Sequence, residues 1–81
     1  MSKTKDEQFV LWLYRTAKEA GDVEGALNRY EVGAKAGLKQ KGVDAICKIL
    51  IQANFIRKAD EEQVRLTPHG IKLAERLLGE P

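Results

Sequence analysis

Val43, Ile46, Cys47, Leu50 and Ala53 recur at the three- and four-residue spacing of an α-helix, soon after the turn signal at Gly37. A stripe of that period demands a helix that buries one face and leaves the other outside. The opposite side of the same wheel carries Lys41, Asp44, Ala45, Lys48 and Gln52. The segment therefore reads as a helix over about 40–53, packed on one side and bearing short or cationic groups on the other.

The remaining segments supply what that helix packs against. Thr4 followed three residues later by Glu7 has the capping-box pattern, and a helix runs from there to about Ala20. Its apolar face holds Phe9, Val10, Leu13, Thr16, Ala17 and Ala20, with Arg15, Lys18 and Glu19 opposite, and Gly21-Asp22 closes it. Val23 to Leu27 is too short to show a period and contains Gly25, so it reads as irregular, either loop or short strand. Asn28, with Glu31 three residues on, starts a short helix over about Arg29 to Ala36, and Leu27 stands where a hydrophobic staple would meet Val32. Gly37 suits the left-handed turn that ends it, and Asn54 suits the same role after the 40–53 helix. Phe55–Lys58 and Gln63–Leu66 read as two antiparallel strands joined by the acidic tip Ala59–Glu62. Thr67-Pro68 then opens a last helix through Ile71, Leu73, Ala74, Leu77 and Leu78 to Gly79.

With 81 residues, 43% of them hydrophobic and 32% charged, the chain is long enough for one domain over 1–81, with a flexible start at 1–4 and a tail at 79–81. The longest apolar run, Phe9 to Tyr14, is far shorter than the roughly 20 residues of a membrane span, and no secretory leader opens the chain, so a cytoplasmic protein is expected. Cys47 is the sole cysteine and His69 the sole histidine, which excludes intrachain disulfides and Cys/His zinc clusters. Cys47 sits among Ile46, Ile49, Leu50 and Ile51 and reads as a packing residue; His69 reads as a surface residue at a helix start. No nucleophile–base pair or phosphate-binding glycine loop is visible, so no catalytic residue, metal or cofactor is expected.

Charge is uneven along the chain. Residues 1–28 hold four Lys/Arg against five Asp/Glu, residues 29–58 seven against two, and residues 59–81 three against five. The basic middle comprises Arg29, Lys35, Lys39, Lys41, Lys48, Arg57 and Lys58. It reads either as an oriented face for a polyanion or as ordinary solvated lysines.

The order helix, short helix, tight turn, helix, hairpin, helix resembles the winged helix-turn-helix superfamily of small prokaryotic transcription regulators. The resemblance rests on Val32-Gly33-Ala34-Lys35-Ala36-Gly37-Leu38 leading into Val43, Ile46 and Leu50, on Ala53-Asn54-Phe55-Ile56, and on Leu66-Thr67-Pro68-His69-Gly70 with Leu73-Ala74. It implies a mostly α fold with a small β-hairpin: a three-helix core, a two-stranded wing over 55–66 and a C-terminal helix. It also implies double-stranded DNA as partner, with the helix over about 40–53 in the major groove. Lys39, Gln40, Lys41, Asp44, Ala45 and Lys48 would then occupy the recognition surface, Gln40 and Lys41 as base readers, Lys35, Lys39 and Lys48 on phosphates. Arg57, Lys58 and Arg65 would lie on the wing, and Lys3 and Lys5 would form a basic arm.

Some residues qualify that picture. Asp60, Glu61 and Glu62 put carboxylates at the wing tip, where phosphates repel them. Asp44 reads either as an acceptor for cytosine or as a counter-ion to Lys41 or Lys48. Gly42 reads as a frayed helix start, or as a point of close approach to DNA. Small residues at Ala34 and Ala36 are expected to let the two helices around the turn approach closely. Leu11 projects into the polar arc of the first helix with Trp12 on its flank, and the last helix is apolar over nearly half its wheel. Leu11, Trp12, Leu73 and Leu77 thus read either as the interface of a homodimer or as a last helix wrapped into the single core with Leu11 left exposed. The alternative function is a winged-helix module that binds a protein through its acidic tip and apolar stripes, without DNA.

Overall fold

A computed structural model describes residues 3–79. Four helices and three strands follow one another as α1 (Lys5–Glu19), β1 (Leu27–Asn28), α2 (Arg29–Lys35), α3 (Gln40–Gln52), β2 (Ile56–Lys58), β3 (Gln63–Leu66) and α4 (Pro68–Leu77). The chain is thus mostly helical, with an antiparallel sheet of order β1-β3-β2.

Local chemistry sets most of these boundaries. Thr4 and Glu7 form a reciprocal capping box: Thr4 N–H donates to Glu7 Oε1 at 2.9 Å and Glu7 N–H to Thr4 Oγ1 at 3.4 Å. Thr4 is held by that cap, and Lys5, expected in a basic arm, is the first residue of α1. Residues 1–2 of the expected flexible start, and 80–81 of the expected tail, lie outside the described residues. Asn28 Oδ1 accepts from the N–H of Tyr30 and Glu31 at the start of α2. Gly37, at φ 79°, ends α2: Leu38 N–H reaches Gly33 O at 2.8 Å and Gly37 N–H reaches Ala34 O at 3.0 Å. Asn54, at φ 64°, repeats this pattern after α3, with Phe55 N–H on Leu50 O at 2.9 Å.

Two expectations change once the partners are in place. Leu27 and Asn28 are not loop; they pair with Val64 and Gln63, so the hairpin gains a third strand and β3 becomes central. Arg29 N–H extends this pairing to Glu62 O at 2.8 Å. Gly33, not Ala34, is the close-approach residue between α2 and α3: Ala34 is exposed, whereas a Cβ on Gly33 would fall 2.1 Å from Val43 Cγ2.

One core holds Phe9, Leu13, Val32, Val43, Cys47, Leu50, Ile56, Val64, Leu66 and Ala74, with α1 packed against α2, α3, α4 and β3. Leu11 belongs to it, at 6% exposure, and does not project into solvent as expected; Trp12, Leu73 and Leu77 are half-buried against the same cluster. The residues assigned to a dimer interface therefore serve the core of a single chain. Ala20 and Ala53, expected on packed faces, are exposed because both cap helix ends beyond the reach of the neighbouring elements. Among the described residues no helix is long and apolar enough to cross a membrane.

Candidate nucleic-acid interface

The outward side of α3 follows from its inward side. With Val43, Cys47 and Leu50 in the core, the helical period turns Lys41, Ala45, Lys48 and Gln52 to solvent, and all four are exposed. Lys39 and Gln40, at the helix start, are exposed as well. Lys39 occupies the N-cap position without a side-chain cap, and the first turn of α3 contains no acid. The lysines Lys39 and Lys41 therefore add to the positive end of the helix dipole rather than being offset there. Gly42 is not frayed: it lies inside α3, where a Cβ would make ordinary contact with Leu38 Cδ2 at 3.5 Å.

Asp44 has partners other than those expected from its own helix. Tyr30 Oη donates to Asp44 Oδ1 at 2.7 Å, and Arg29 Nη2 lies 3.4 Å from the same oxygen. Arg29 Nη2 also donates to Tyr30 Oη at 3.1 Å. That hydrogen bond is the main influence holding the Arg29 pKa above its ordinary value, with Asp44 adding to it. Arg29 is thus a cross-link between α2 and α3, with its side chain only 20% exposed, and it leaves the free cationic face. Lys35 is likewise engaged, its Nζ donating to Thr16 Oγ1 of α1 at 3.2 Å.

The hairpin residues sit elsewhere. Ile56 and Leu66 face each other toward the core, so the next pair in register, Arg57 and Arg65, lies on the outer face of the sheet. Two cations directly opposite one another repel across the strands. With Glu24, Leu66, Thr67 and Pro68 they line a half-open cavity of about 220 Å³ that includes no α3 residue. Lys58 is exposed opposite Val64, at the end of β2 nearest the tip. The tip acids Asp60, Glu61 and Glu62 gather with Asn28 and Gln63 beside the start of α2. Arg57 and Arg65 thus meet Glu24 and the start of α4, while Lys39, Gln40, Lys41, Ala45 and Lys48 are exposed along α3.

Two features of α3 carry information that charge and motif reading passed over. Ile49 is 55% exposed and Ile51 39% exposed, although both belong to the apolar run around Cys47. Cys47 itself is buried, and burial pushes its thiol pKa up to about 11, a poor setting for a nucleophile. No group of His, Cys, Asp and Glu among the described residues could hold a metal ion. No family model, curated protein or solved structure matches the chain.

Proposed function

We infer that the protein binds double-stranded DNA through α3 and regulates transcription as a winged helix-turn-helix protein. The observation that carries this reading is the α2–turn–α3 unit. Gly33 admits Val43, Gly37 reverses the chain, and Lys39, Gln40, Lys41, Ala45 and Lys48 are left exposed on one helix. A helix so presented fits the major groove of B-DNA, about 12 Å wide. In this reading Lys39 and Lys48 meet phosphates, Gln40 and Lys41 read base edges, and Asp44 ties the helix to α2 through Tyr30. Arg57, Lys58 and Arg65 contribute positive potential, while Asp60 to Glu62 keep the hairpin tip away from the backbone. The order of helix, short helix, turn, helix, hairpin and helix supports the superfamily assignment.

The exposed Ile49 and Ile51 favour a second reading, a module that binds another protein. Fluorescence anisotropy with a mixed-sequence duplex pool, from about 50 to 200 mM salt, separates the two. DNA binding predicts affinity that falls by orders of magnitude over that range, with Lys41→Ala and Lys48→Ala each weakening binding and lowering the salt slope by about one. Absence of binding at the lowest salt overturns the DNA reading; unchanged affinity in both variants removes α3 as its reader.

A further inference from the structure

We propose that α3 reads thymine methyl groups through Ala45 and Ile49, an inference that rests on the DNA reading and names the bases it selects. Midway along α3, the side chains near the outward face are Asp44, Ala45, Lys48 and Ile49. Asp44 is tied to α2 through one oxygen, its Oδ1 held by Tyr30 and Arg29, so the carboxylate is engaged within the fold. Ala45 is exposed and Ile49 is, among the described residues, the more exposed of the two large apolar side chains that stand out in solvent. Four residues apart, they lie one above the other on the helix, with Lys41 and Lys48 alongside.

An apolar strip bordered by lysines needs a partner that is anionic at its edges and apolar at its centre. The major groove supplies one apolar group, the C5 methyl of thymine, set between two phosphate backbones. Cβ atoms at this spacing are about 5–6 Å apart, which spans one to two base steps of about 3.4 Å. The strip therefore suits thymines on adjacent or next-adjacent steps. Ile51 does not extend it, because two residues along a helix turn the side chain by about 160° to the other flank. Ile51 therefore lies outside this strip.

The test starts from a duplex selected by the full chain from a random pool, in which each thymine is replaced singly by deoxyuridine. That change deletes the methyl group and keeps O4. Affinity is expected to fall about fourfold, the worth of one buried methyl, at one or two neighbouring positions and to hold elsewhere. Ile49→Ala, at a site open to solvent, is expected to fold normally and to bind thymine and deoxyuridine duplexes alike at one of the affected positions. Affinities within twofold for every replacement, or an undiminished thymine preference in Ile49→Ala, overturn the proposal while leaving DNA binding intact. Absence of any salt-sensitive duplex binding overturns both.

Discussion

The Phe55 ring and the His69 imidazole lie face to face, with centroids 4.6 Å apart and planes 8° from parallel. The stack covers a joint between the end of α3 and the start of α4. Within that joint Thr67 Oγ1 donates to Asn54 O at 2.6 Å and accepts from Gly70 N–H at 3.0 Å, while Thr67 N–H donates to Phe55 O at 3.1 Å. Gly70 has no room for a side chain, since a Cβ there would fall 1.9 Å from Phe55 O. Two segments far apart in sequence are thereby locked at the base of the hairpin.

Thr67→Val removes both hydroxyl hydrogen bonds from a buried position and is expected to cost about 1–3 kcal/mol in urea unfolding. Thr67→Ser should recover most of that loss. His69→Ala, which removes only the exposed stack, should cost about 0.5–1.5 kcal/mol. A Thr67→Val variant as stable as the parent would mean that the joint does not depend on the hydroxyl.

The contact between Gly33 and Val43 predicts strong coupling. Gly33→Ala should destabilise by about 1–3 kcal/mol, because its methyl overlaps Val43 Cγ2. Val43→Ala leaves a small cavity of its own but removes that overlap. Combined, the two substitutions should cost less than their sum by about 1 kcal/mol in a double-mutant cycle. Simple additivity would place the strain elsewhere.

Asp44 is assigned to the fold, not to base reading. Asp44→Asn weakens the link to Arg29 and is expected to lower stability by about 0.5–1 kcal/mol, a modest loss because the carboxylate is 53% exposed. It also removes a negative charge from the proposed DNA face, so duplex affinity should rise at low salt. A specific loss of affinity for cytosine-containing sites would return Asp44 to the reading set.

Cys47 gives a pH prediction with a definite sign. The thiol titrates near 9.0 when unfolded and near 11 when folded, because burial opposes the thiolate. Between those values the folded state retains a proton that the unfolded chain has lost, so stability falls as pH rises through that window. The shift corresponds to about 2–3 kcal/mol. Cys47→Ala should flatten this part of the pH–stability profile relative to the parent, measured by urea unfolding at stepped pH. Alkylation of the native thiol at pH 8 should be slow and should accelerate with urea.

Features that depend on residues three or four apart were legible before any coordinates. The Thr4/Glu7 cap, the Asn28 cap, the turns at Gly37 and Asn54, and the Thr67-Pro68 helix start all arise from local hydrogen bonding. The solvent side of α3 followed from its period. Strand β1 was legible only as one of two alternatives at Leu27, loop or short strand, because two residues become a strand only through a partner, here Val64 and Gln63. The same holds for the Arg29–Tyr30–Asp44 cluster, which exists only where α2 crosses α3. Charge counting placed Arg29 on the cationic face and Asp44 beside the lysines, since a sum over sequence cannot register which charges meet. Leu11 was misplaced for a related reason: its burial comes from the surrounding elements, not from the wheel of α1.

The central place of β3 governs how this chain can assemble. Leu27 must wait for Val64, and Asn28 for Gln63, so the whole of α2, α3 and the hairpin lies inside the loop that this pairing closes. Closing a long loop is entropically unfavourable until the contacts it brings are made, which couples the sheet to the helices and slows the final step. A chain still emerging from the ribosome can form α1 and the α2–α3 pair, but β1 has no partner until the last quarter of the sequence is available. Pairing of β1 with β3 should therefore come last, completing the sheet on helices already formed.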